Sequence, residues 1–107
     1  MQHPADDAAF DAIMAAAGDK PVLCKFSAEW CGPCQMIKGN MEELANAHAE
    51  KMVFIHVDVD HLPGTSEKWE VRCMPTVKLI VNGAQKGNTV EGANMSLITA
   101  LVESAFA

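Results

Sequence analysis

Residues 30–34 read Trp-Cys-Gly-Pro-Cys, and the thiols of Cys31 and Cys34 are the groups in this chain best suited to covalent chemistry. An apolar run, Val22 to Ser27, precedes them, and a helical pattern follows. A helix start offers free N–H groups and positive potential. That setting favours a thiolate at Cys31, and the thiolate is the nucleophile in disulfide exchange. Cys34 sits one turn further in, close enough to close a disulfide with Cys31 and less exposed. Cys31 is therefore expected to attack, as an exposed thiol of low pKa, and Cys34 to resolve the mixed disulfide. The same pair admits a second reading as half of a zinc site. Its other ligands would come from Cys73 with His61, His56 or Cys24, yet no second Cys-x-x-Cys or His-x-x-x-His exists. The strand–CxxC–helix context favours redox chemistry over zinc.

The elements that must position this pair follow from periodicity and punctuation. Asp6 or Asp7 caps a helix through Phe10, Ile13 and Met14 to Ala17, with Gly18 as its stop. Val22 to Ser27 is a buried strand. Pro33 suits the first turn of a helix running from about Cys34 to about Glu50, with Ile37, Met41, Leu44 and Ala45 on one face and Gly39 as a point of bending. Residues 53–59 form a second buried strand, and the connection after it holds one short helix. Thr76 to Val81 is a third strand, Asn82-Gly83 a turn, and a return strand lies near Asn88 to Val90. Asn94 caps a last helix whose stripe is Leu97, Ile98, Leu101, Val102 and Phe106. The segment Met1–Pro4 is too short to promise an edge strand. A helix between two buried strands implies a parallel pair with a right-handed crossover, and the hairpin adds antiparallel strands. The expected class is α/β: one domain over 1–107, with a mixed sheet and helices on both faces.

Composition narrows the function. The 107 residues are half hydrophobic and carry a net charge of −6. Arg72 and seven scattered lysines make no basic stripe, which argues against nucleic acid or an anionic membrane surface. No apolar run reaches bilayer length. The first ten residues lack a basic n-region and an apolar h-region, so no secretory signal is expected. Four cysteines in a chain with this much apolar residue fit a reducing setting. The expected location is cytoplasmic, or organellar if a targeting peptide was removed.

The segment FSAEWCGPCQMI resembles the active-site segment of thioredoxins, and RCMPT resembles their proline loop. AAAGDKPVL, HVDVD, the Asn-Gly turn and VEGAN extend the resemblance over nearly the whole chain. It implies a thioredoxin fold with a central four- or five-stranded sheet and a cis peptide bond before Pro75. The loop at Met74 and Pro75 would offer backbone hydrogen bonds to an extended substrate. Trp30, Gly32, Pro33, Met74, Gly92 and Ala93 would frame an apolar docking surface; for Trp30, simple packing is the competing role. The implied activity is reduction of protein disulfides through the Cys31/Cys34 dithiol. No bound cofactor or metal is implied beyond the redox-active disulfide itself. The implied partners are disulfide-containing proteins and a flavin-dependent reductase or equivalent dithiol donor, with the chain a monomer. Two alternatives stand beside this: a partner-specific or more oxidising relative, and a binding module without turnover.

The pattern breaks in three places. Thioredoxins resemble one another in a buried aspartate five residues before the tryptophan, and Lys25 stands there. A lysine on the neighbouring strand is its usual bacterial-type partner, and the matching residue is His56. Gly39 stands where a proline is common, and the N-terminal strand is short. Neutral Lys25 can take the Cys34 proton, protonated Lys25 can stabilise the Cys34 thiolate, and His56 is a second candidate base. Lys25 can also extend its ammonium to a polar rim and take no part. Cys73 is a candidate regulatory or dimer-forming thiol beside the docking loop, or simply a reduced, half-exposed residue. Cys24 reads as core. Asp58, Asp60 and His61 read as a solvated strand end rather than a metal site.

Overall fold

The computed structural model describes residues 1–106. The first helix, α1 (Asp7–Ala17), starts where the Asp6 carboxylate accepts the Ala9 N–H at 2.8 Å, and ends at Gly18. Strand β1 (Val22–Ser27) is buried at every position. It lies at the centre of a four-stranded sheet of order β2-β1-β3-β4. Strand β2 (Val53–Asp58) runs parallel to β1, whereas β3 (Thr76–Val81) and β4 (Ala84–Glu91) are antiparallel additions. The short helix α4 (Pro63–Lys68) lies between β2 and β3, and α5 (Met95–Ser104) closes the chain under an Asn94 cap.

Side chains alternate across a strand, so β1 serves two cores. Val22, Cys24 and Phe26 pack with Ile55, Val57, Ile80, Leu62 and Phe10 on the α1 side. Leu23 packs with Val77, Leu79, Ile37, Met41, Ile98 and Val102 on the α5 side. Lys25 and Ser27 share the second face by the same alternation.

Four expectations change in detail. The long helix is two: α2 (Gly32–Met36) and α3 (Lys38–Ala47), broken at Ile37 (φ −99°, ψ 3°) rather than at Gly39. Ile37, Met41 and Ala45 still share the buried face. Strand β4 is longer than Asn88–Val90, and its register shifts opposite Lys78, whose Nζ donates to Gln85 Oε1 (3.3 Å) and Thr89 Oγ1 (3.1 Å). The α5 stripe narrows to Ile98, Leu101 and Val102, with Leu97 and Phe106 exposed. At the outer edge of β2, the N-terminal segment contributes a single bridge: Gln2 donates to Phe54 O and accepts from His56 N.

Candidate functional site

The β1–α2 connection exists to present two sulfurs. Cys31 is the N-cap of α2, and its Sγ accepts the Cys34 N–H at 3.2 Å. Pro33 occupies the first turn, where its missing N–H costs nothing. Cys31 and Cys34 are joined in a disulfide, their Cα atoms 5.3 Å apart. Gln35 reaches back to the carbonyls of Ala28 and Glu29 (both 3.4 Å) and ties the helix to the loop before it. Nothing in the sequence pattern had singled out Gln35.

The expected exposure of Cys31 needs correction. It is 6% exposed, against 0% for Cys34. Ala28, Val59 and Met74 pack around the pair and leave only a narrow approach, yet the order of access is the expected one.

The residues expected to dock substrate converge around that approach. Trp30 is 68% exposed, and Gly32 and Pro33 are exposed beside it. Met74 is half-buried against the cysteines, and the Met74–Pro75 bond is cis. Pro75 O accepts the Gly92 N–H at 2.8 Å, which brings half-buried Gly92 and Ala93 to the same rim. Two features were not anticipated. Trp30 Nε1 donates to Asp60 Oδ2 at 3.0 Å, so the indole is held rather than loose. Met36, exposed on α2, adds apolar surface. Asp58, whose Oδ1 accepts the Asp60 N–H and whose Oδ2 lies 3.7 Å from His61, braces this corner.

Lys25 is 2% exposed and paired in register with His56. Its Nζ donates to the carbonyl of Cys34 at 3.3 Å. Burial, then the nearby Lys38 charge, lowers its pKa, while Glu42 opposes the shift. His56 is half-buried and makes no hydrogen bond to either cysteine among the described residues. Burial first, then Lys25 and His3, push its pKa down to about 4, so its imidazole is neutral at pH 7. Cys24 is fully buried, and burial raises its thiol pKa to about 12, which leaves it inert. Cys73 is exposed, not half-exposed, with Sγ 3.5 Å from Glu91 Oε2. Among the described residues no cluster of three or more His, Cys, Asp or Glu side chains is arranged to hold a metal ion. No described helix is long and apolar enough to cross a membrane.

A redox-active cysteine pair at a strand-to-helix junction, faced by a cis-proline loop, defines the class: a dithiol–disulfide oxidoreductase. The family model described as Thioredoxin matches residues 2–104. The thioredoxin of Rattus norvegicus is 43% identical over 94 residues, 88% of each chain, and that of Pongo abelii is 39% identical over the same share. Among solved structures, the germline-specific thioredoxin Deadhead of Drosophila melanogaster superposes with a TM-score of 0.91 at 27% identity, covering 97% of this chain and 98% of that one. Plasmodium falciparum thioredoxin gives 0.88 at 38% identity over the full length of both chains. The chain belongs to the thioredoxin family, and it is a thiol–disulfide oxidoreductase that works through Cys31 and Cys34.

Proposed function

We propose that Cys31 is the attacking thiol and Cys34 the resolving thiol of a general protein-disulfide reductase. The observation that carries this is the cap at Cys31, whose sulfur accepts a main-chain N–H at the helix start. A thiolate there gains the hydrogen bond and the favourable potential, while Cys34 is the more buried of the pair. An extended substrate lies along Met74, with main-chain hydrogen bonds to the loop and side chains against Trp30, Gly32, Pro33, Gly92 and Ala93. Cys31 Sγ attacks the substrate disulfide, one substrate sulfur leaves as a thiolate, and Cys34 then displaces the other. The new disulfide is recharged by a flavin-dependent thioredoxin reductase or an equivalent dithiol donor. The chain works as a monomer in a reducing compartment, and exposed Cys73 remains a candidate regulatory thiol there.

Insulin reduction coupled to such a donor tests the reading. The parent turns over; Cys31→Ser and Cys34→Ser do not. Trp30→Ala is expected to lower kcat/KM about tenfold, the loss of roughly 1.4 kcal/mol of docking energy. Trp30 is largely exposed, so stability should stay within about 0.5 kcal/mol. Turnover surviving in Cys31→Ser would refute the assignment.

A further inference from the structure

Lys25 is a buried lysine on the central strand β1. A lysine ammonium has three donors. Here one of them reaches a neutral acceptor, the Cys34 carbonyl, and no carboxylate forms an ion pair with it among the described residues. Ser27 Oγ, on the same face of β1 and buried, has no hydrogen-bond partner among the described residues. A buried charge with so little compensation is costly. The charges acting on it are Lys38 and Glu42 from α3, and its register partner on β2 is His56, which in turn faces His3, Asp58 and Lys38. Among the described residues none of them hydrogen-bonds or forms an ion pair with the ammonium in this disulfide-bonded state. Neutral His56 supplies no counter-charge.

Opening the disulfide creates the missing partner. Resting on the assignment of Cys34 as the resolving thiol, we propose that Lys25 is a positioning residue for the resolving step: its buried ammonium pairs with Cys34 as a thiolate in the reduced protein. Cys34 loses its proton to solvent. Its thiolate attacks Cys31 Sγ of the mixed disulfide, the Cys31–substrate S–S bond breaks, and the Cys31–Cys34 bond forms. The two electrons leave on the substrate thiolate, which takes a proton from solvent. The ammonium keeps its own proton throughout. The cation is compensated only in the reduced form, so the arrangement favours reduction of the Cys31–Cys34 pair. A buried carboxylate at position 25 would do the opposite. This member of the family is accordingly a stronger oxidant than the same chain without the charge.

The test uses two readouts. Cys31, the accessible member of the pair, is carboxamidomethylated in a Cys73→Ser background, and Cys34 is titrated by thiolate ultraviolet absorbance. Cys24 stays silent because its thiol titrates only at about 12. Cys34, as buried as Cys24, is expected to titrate well below that thiol because of the adjacent ammonium, and Lys25→Met is expected to move it up at least tenfold in proton affinity. Equilibration against glutathione at a pH above the Cys34 midpoint of both proteins is expected to shift at least tenfold toward the disulfide in Lys25→Met, a fall of about 30 mV for two electrons, and further in Lys25→Asp. Cys34 titrating as high as the buried Cys24 thiol in the parent overturns the proposal, and that measurement needs no substitution at Lys25. A Lys25→Met protein with the parent's potential also overturns it. If the parent reduces insulin normally, either result removes the role of Lys25 and leaves the cysteine assignments intact; a parent that fails to turn over removes the assignments themselves.

Discussion

Protonation of His56 gives this fold a pH dependence whose size follows from its surroundings. Burial, Lys25 and His3 hold the imidazole at about 4 instead of 6.5, with Asp58 opposing and Lys38 adding to the shift. The native state thus binds this proton more weakly than the unfolded chain. Stability must fall as pH drops from about 6.5 toward about 4, and the loss is complete below that window. Between pH 7 and pH 4.5 the full linkage would be about 2.4 kcal/mol. His56 is only half-buried, so solvent screening reduces the expected loss to about 1 kcal/mol. With a urea slope of ~1–3 kcal/mol/M, that moves the unfolding midpoint by roughly 0.3–1 M. Urea unfolding of the parent and His56→Gln at both pH values isolates the effect, because the carboxylates contribute alike to both proteins. Gln has no proton to gain, so the variant should lose less stability on acidification by that amount. Equal losses in the two proteins would refute the claim that His56 is held neutral.

The Asp7 carboxylate joins α1 to the start of α4, accepting from Gly64 N (3.1 Å), Thr65 N (2.8 Å) and Thr65 Oγ1 (2.6 Å). These bonds, the Thr65 hydroxyl first, lower its pKa, so its contribution is present above the ordinary carboxylate value and fades as pH falls through the lowered one. Asp7→Ala is expected to lower Tm at neutral pH and to narrow the gap from the parent in strong acid; an unchanged gap would show that the carboxylate is not the cause. A Cβ at Gly64 would meet Asp7 Oδ2 at 2.8 Å. Gly64→Ala should therefore destabilise the parent yet stabilise Asp7→Ala by about 0.4–1 kcal/mol through lost unfolded-state entropy, and the same sign in both backgrounds would contradict the contact.

Much of the site was legible because it is local. The Asp6 and Asn94 caps, the Gly18 stop, the apolar β1 and the Cys-Gly-Pro-Cys turn each carry their signal within a few residues. The burial of Lys25 also followed from its strand neighbours. What it touches did not, since the Cys34 carbonyl is brought to it by the path of α2 across the sheet. The break at Ile37 leaves the buried face of α3 intact, so hydrophobic spacing could not reveal it. Strand β4 is polar along most of its length and has no alternation to read, which is why only its end was seen. The Trp30–Asp60 bond spans thirty residues of sequence, and no local pattern encodes it.

The central claim is that the first covalent bond to substrate forms at Cys31. Its most direct test is peptide mapping by mass spectrometry of reduced Cys34→Ser after mixing with a disulfide-bonded peptide. A single substrate adduct on Cys31, stable until a second thiol is added, is the predicted result. An adduct on Cys73 in place of Cys31, or equal trapping by Cys34 in Cys31→Ser, would contradict the account.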